Sequence, residues 1–158
     1  VKIGLADANA VVDAASEMQA RLEDELKIDG YLIQEMVDGL EVIVGFREDP
    51  QYGPFVVLGL GGVFVEALKD ISMRLLPANS DDIKEMISEL RSAPLFEEFR
   101  GQPQRDVAAL AEAVSKLGDI FLDLRPWLSD LEINPMIVGA KGQGVRAVDV
   151  RPIKRTQS

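Results

Sequence analysis

The residues best placed to do chemistry lie near the carboxyl end. Over 130–138, Asp130, Glu132 and Asn134 alternate with Leu131 and Ile133. Alternate side chains of a strand share a face. The pattern therefore predicts Leu131, Ile133 and Ile137 on one side and Asp130, Glu132 and Asn134 on the other. A glycine-rich loop, 139–144, leads to a second extended run, 145–150. If Gly139 lies opposite Gly144, plain antiparallel pairing sets Ile137 against Arg146 and Asn134 against Asp149. Directly opposed residues hold their Cβ atoms about 4.5–5.5 Å apart, so an amide oxygen and a carboxylate would converge, with Glu132 close by. Hard oxygen donors of this kind suit Mg²⁺, which takes one or two protein ligands and fills its shell with phosphate oxygens and water. Such an ion would bridge phosphates and offset charge during phosphoryl transfer. A solvated polar face on an edge hairpin produces the same alternation, and spacing alone leaves both readings open.

Three other groupings carry candidate chemistry. Gly59, Gly61 and Gly62 could let backbone N–H groups approach a phosphate. No Gly-Lys-Ser/Thr follows, so this is not a Walker loop, and the extended run beyond it does not fit a dinucleotide fingerprint. A tight turn between strands explains the glycines too. Lys69 or Arg74 could meet phosphate charge, or belong with Glu66 and Asp70 to a salt-bridged strand. Glu35 sits in an otherwise apolar run with Met36 and Val37, as expected of a strand edge that offers its backbone to a planar heterocycle. Glu41 could accept hydrogen bonds from ribose hydroxyls. Both glutamates facing water is the plain alternative. Trp127 and the methionines are expected in packing.

The elements that must position these groups follow from periodicity. Residues 1–5 read as the end of a strand. Asp7 can cap a helix whose apolar positions Val11, Ala15, Met18, Leu22 and Leu26 step by three or four. A strand at 31–37, the Asp38-Gly39 turn and a strand at 41–46 predict a hairpin. A turn at 49–54 leads to a strand at 55–58, and 63–76 reads as extended with a bend near Asp70. Ser80 is expected to cap a helix burying Ile83, Ile87 and Leu90. Asp106 is expected to cap another, with Val107, Leu110, Val114, Leu117, Phe121 and Leu124 on its buried stripe. Residues 93–103 read as a helical turn and a loop. The whole predicts an α+β domain over 1–153, a mostly antiparallel sheet with helices on one face and the other face free for a ligand, followed by a frayed tail at 154–158.

Composition bounds the function. The 158 residues suit one domain, and 47% apolar content supplies a core. A net charge of -10 argues against nucleic acid as a partner, although a local Mg²⁺ would still admit ATP. No apolar run approaches the roughly 18 residues of a membrane span, and no leader resembles a signal peptide, so a cytoplasmic protein is the simplest expectation. The absence of cysteine and histidine excludes thiolate and imidazole catalysis from within these residues. The chain begins at Val1 rather than Met, which fits a piece of something longer.

Five stretches occur in one order along nearly the whole chain: 32–45, with Gln34-Glu35-Met36-Val37-Asp38-Gly39 and Glu41; 49–54, Asp-Pro-Gln-Tyr-Gly-Pro; 59–66, Gly-Leu-Gly-Gly-Val-Phe-Val-Glu; 131–135, Leu-Glu-Ile-Asn-Pro; and Val148-Asp149. Together they resemble the ATP-grasp domain, in its C-terminal half, of ADP-forming acyl-CoA synthetases (acid–CoA ligases), relatives of the succinyl-CoA synthetase β subunit. The resemblance implies ATP/ADP and Mg²⁺ as cofactors, with Asn134 and Asp149 as the metal ligands. It implies Glu132 as a carboxylate at the phosphoryl-transfer centre, facing a transiently phosphorylated histidine. It implies Glu35, Met36, Val37 and Asp38 around adenine, Glu41 on ribose, and Gly61 and Gly62 in the family's glycine loop. With no histidine here, the phosphohistidine and the coenzyme A site are expected on another domain or subunit. The N-terminal lobe with its phosphate-binding lysine is expected ahead of Val1, which would leave the isolated piece inactive. The alternatives are a non-catalytic regulatory domain, as in relatives fused to protein acetyltransferases, and an ATP-grasp ligase that makes amide bonds. The acid substrate is not legible in the sequence.

Overall fold

A computed structural model describes residues 1–22, 28–61 and 70–155. The chain divides into two compact units, Val1–Val37 and Asp38–Ser158.

Among its described residues the first unit holds one helix, α1 (Ala8–Leu22). Asp7 caps it as expected, its Oδ1 accepting from Ala10 N–H at 2.9 Å. Leu26 lies outside the described residues. Neither 1–5 nor 31–37 forms a strand, a correction to the sequence reading. Leu32, Ile33 and Met36 are exposed. The reason lies in the pairing of the second unit. The strand after Gly39, β1 (Leu40–Asp49), has both edges occupied, by β2 (Gly53–Leu60) and by β4 (Leu128–Val138). The expected hairpin partner therefore has no edge to join. Gly39 serves a close approach instead: its φ is 159°, and a Cβ there would lie 2.5 Å from both Ile137 Cγ2 and the Val138 carbonyl oxygen.

The second unit is an antiparallel six-stranded sheet in the order β3-β2-β1-β4-β5, where β3 is Ile71–Leu75 and β5 is Val145–Ala147. The sixth strand, β6 (Val150–Lys154), continues along the edge of β4. The β1–β2 turn forms where expected, with Asp49 Oδ1 accepting from Gln51 and Tyr52 N–H groups. Gly59 and Leu60 prolong β2, so the chain leaves the sheet later than the glycines suggest. Gly62, Glu66 and Lys69 fall outside the described residues.

Two helices, α2 (Ser80–Glu89) and α3 (Val107–Leu124), pack on one face. The cap of α2 is Asn79, not Ser80. Its side chain accepts from the Asp81 and Asp82 N–H groups while Asp82 accepts from Asn79 N–H, a reciprocal box that satisfies more orphan donors than a serine one residue on could. A 3-10 turn at Ala93–Phe96 follows. Asp70, where the bend was expected, accepts from the Arg91 and Ser92 N–H groups at 2.9 and 2.8 Å and ties the start of β3 to the end of α2.

The core lies between the helices and the inner sheet face, formed by Val42, Val44, Phe46, Val56, Leu58 and Ile133 against Ile83, Leu110, Val114 and Phe121. Leu124, expected on the buried stripe, is exposed because α3 there runs past the core. The rings of Phe46 and Phe121 stand 5.9 Å apart and are fully buried. Phe46→Ala is expected to lower unfolding free energy by about 3–5 kcal/mol, measured by urea denaturation.

Candidate functional site: the open face of the sheet

The outer face carries the polar groups singled out in the sequence. Gly139 N–H donates to the Gly144 carbonyl at 3.0 Å, and Ile137 pairs with Arg146, as the plain register requires. The same register resumes in β6, with Ile133 opposite Val150 and Glu132 opposite Arg151. Between them the expected single strand 145–150 is broken at Val148 and Asp149, across from Pro135, which has no N–H to offer a ladder. Two backbone bonds carry the pairing over the gap: Asn134 N–H to Asp149 O at 3.0 Å and Val148 N–H to Pro135 O at 3.1 Å. Asn134 and Asp149 are thus brought side by side, and both are exposed.

One face assignment is corrected. The register of β1 against β4 shifts between Val42 and Val44, so Val42 pairs with Met136 and Val44 with Ile133. Val42 and Val44 share the core face, and therefore so do Met136 and Ile133. Ile137 moves to the outer face, opposite Glu41. The extra residue is spent at Asn134-Pro135, a bulge that also ends regular alternation there.

Around Asn134 the outer face is charged. Glu132, about a quarter exposed, lies between Gly45 on β1 and Arg151 on β6, and Arg151 Nη2 donates to its Oε2 at 3.4 Å. Asp130 pairs with Arg47 Nε at 2.8 Å. Glu41 is exposed, and its carbonyl accepts from Gly61 N–H at 2.8 Å, so these two expected nucleotide contacts are neighbours. Asp38 is exposed at the start of this unit. Glu35 and Met36 are exposed and Val37 half-buried in the first unit.

Among the described residues no cluster of three or more acidic side chains could cage a metal. An amide and one carboxylate are nonetheless a donor set that fits Mg²⁺ completed by phosphate and water. A surface hollow of about 590 Å³ lies at the β1–β2 turn, lined by Glu48, Asp49, Tyr52 and Arg155 among others. It contains none of the expected site residues and is closed on one side by the Arg155–Glu48 ion pair.

Asp106 positions the loop that brings Asp149 back to β4. Beyond capping α3 through Ala109 N–H, its carboxylate accepts from Gly144 and Gly142 N–H at 3.0 and 2.9 Å. Its cap was legible locally. Its grip on the loop was not, because those partners are 36 and 38 residues away. Arg151 was also missed, although the same register count that pairs Asn134 with Asp149 sets it opposite Glu132.

The Gly144 N–H bond, followed by those from Ala109 and Gly142, holds the Asp106 carboxyl below its ordinary range, against an opposing push from burial. The folded pKa is depressed, so its stabilisation is present above the unfolded value of about 3.9 and lost as pH falls through the folded value. Asp106→Asn is expected to cost about 1–3 kcal/mol at neutral pH, and the gap to the unsubstituted protein should close in acid below about pH 4, seen in urea midpoints measured across pH. The Glu132–Arg151 pair is long and half in water, so a double-mutant cycle on it should give a coupling under about 1 kcal/mol.

A protein-family profile described as an ATP-grasp domain matches residues 1–153. The chain is 36% identical over 138 residues to the β subunit of ADP-forming acetate–CoA ligase II of Pyrococcus furiosus, covering 87% of this chain and 58% of that protein. It is 37% identical over 147 residues to an ADP-forming acetate–CoA ligase of Methanocaldococcus jannaschii, covering 91% of this chain and 21% of that protein. The chain therefore spans little more than half of the first relative and about a fifth of the second. Its fold is similar to that of a Candidatus Korarchaeum cryptofilum dinucleotide-forming acetyl-coenzyme A synthetase 1, with a TM-score of 0.81 and 34% identity over 98% of this chain and 67% of that one. That structure holds coenzyme A and Mg-AMPPCP, with a phosphohistidine segment pointing towards the nucleotide-binding site.

Proposed function

As this chain belongs to the ATP-grasp domain family, we propose that the open sheet face is the ATP/ADP- and Mg²⁺-binding module of an ADP-forming acid–CoA ligase. The acid, coenzyme A and a phosphohistidine are handled by another domain or subunit. The observation that carries the reading is the backbone bond of 3.0 Å that sets Asn134 beside Asp149 next to Glu132. The charged outer face and the names of the similar proteins support it.

In this reading Asn134 and Asp149 hold Mg²⁺ through their side-chain oxygens. When bound, the ion offsets phosphate charge during transfer. Glu35, Met36, Val37 and Asp38 contact adenine, Glu41 the ribose, and Gly61 and Gly62 lie at the glycine loop. The histidine comes from outside these 158 residues, which contain none. A lone pair on one imidazole nitrogen forms the N–P bond as the bond from the γ-phosphorus to the β–γ bridging oxygen breaks, and that electron pair leaves with ADP. Glu132 accepts a hydrogen bond from the other ring N–H and balances the positive charge that develops on the ring.

In the full-length protein, Asp149→Ala is expected to weaken Mg-ATP binding by about 10-fold or more, read by calorimetric titration with Mg²⁺ present and absent. Glu132→Gln should leave that affinity nearly intact but slow labelling of the histidine from γ-labelled ATP by about 100-fold. Nucleotide binding indifferent to both Mg²⁺ and Asp149 would overturn the reading.

A further inference from the structure

The outer face carries four described glycines on β1 and β2 or directly after it: Gly53 serves the β1–β2 turn at a φ of 87°, and two more are explained by contacts within the chain. A Cβ on Gly59 would lie 2.7 Å from the Asp70 carbonyl oxygen, and one on Gly61 would lie 3.1 Å from Glu41 Cβ. Gly45 is different. Among the described residues a Cβ there would meet nothing within 4 Å, and its φ is not in the left-handed region. It sits in β1, the strand paired on both sides, between the fully buried Val44 and Phe46. A glycine in such a strand forfeits packing and weakens the ladder, and it otherwise marks a turn, a bulge or the close approach of something else. No turn falls at Gly45, and its pairing with Val57 and Glu132 is regular on both sides.

The missing side chain leaves a seat one residue wide. Its floor is the Gly45 peptide and its cross-strand neighbours are Glu132 on β4, whose carboxylate also meets Arg151 on the far side, and Val57 on β2. Ile43 and Arg47 flank it along the strand. A carboxylate on one side, an aliphatic wall on the other and a bare peptide beneath suit a flat, small ring that bears an N–H. We propose that Gly45 keeps open the seat in which the imidazole of the phosphoryl-carrying histidine docks against Glu132, so that residue 45 sets how closely that ring can approach. This rests on the function proposed above and adds the residue that admits the histidine.

The test compares Gly45→Ala and Gly45→Val in the full-length protein together with its histidine-bearing partner domain or subunit. Three readouts are taken: the unfolding midpoint, Mg-ATP affinity, and the rate of histidine labelling from γ-labelled ATP. The expected result is an unfolding midpoint unchanged or raised and Mg-ATP affinity within about 2-fold of the parent. Labelling should fall in the order Gly, Ala, Val, by about 10-fold or more for valine. Labelling at the parent rate in Gly45→Val would overturn the seat while leaving the nucleotide site standing. Loss of Mg-ATP affinity in parallel with labelling would overturn it too, since the space would then belong to the nucleotide. A parent protein that binds Mg-ATP no better than it binds ATP alone would remove the underlying function and this inference with it.

Discussion

The site depends on one register. From Asp130 to Val138, β4 meets the last stretch of the chain in an unbroken antiparallel count, held through the gap at Pro135 by two backbone bonds. A slip of one residue would turn every side chain of that stretch to the other face. Asp149 would then leave Asn134, and Arg151 would leave Glu132. Two restraints outside the ladder oppose such a slip. Asp106 holds the connecting loop from the start of α3, and Arg155 anchors the far end to Glu48, Arg125 and Leu128.

The faces of the sheet divide the work. The inner face spends Val42, Val44, Phe46 and Ile133 on the helices, which fixes the strands in space. The outer face, apart from the buried Ile137, packs less and can carry side chains chosen for charge: Glu41, Arg47, Asp130, Glu132 and Arg151. The bulge at Asn134-Pro135, opposite Ile43, is where the two demands meet. It returns β4 to the core through Met136 and Val138 while leaving Asn134 exposed. An exposed amide is thereby obtained beside a proline without opening the core.

Much of this was legible from local pattern. The caps at Asp7 and Asp106, the turn at Asp49, the hairpin register set by Gly139 and Gly144, and the helix stripe through Leu110, Val114 and Phe121 each rest on residues close in sequence, where propensity and periodicity act. The failures share a cause. The run 31–37 has strand composition, yet strand formation requires a free edge, and β1 has none to offer. Ile137 was placed with Leu131 by simple alternation, because a bulge depends on the partner strand and not on the strand that shows the alternation. Asp106 reads as a cap and no more, since its loop partners lie more than 30 residues on. The juxtaposition of Asn134 and Asp149 was legible because both flank one hairpin.

The doubly paired β1 also has a history within the growing chain. During synthesis β2 and β3 follow β1 and can pair early, but β4 emerges about ninety residues after β1 begins, with α2 and α3 in between. Until then one edge of β1 carries unsatisfied N–H and C=O groups above a half-covered apolar face, the condition in which nascent strands recruit foreign ones. The helices made in that interval can shelter the face but not the edge. The hairpin that positions the candidate site is thus also the last piece to seal the sheet, and any change that delays it would be felt first as aggregation of new chains.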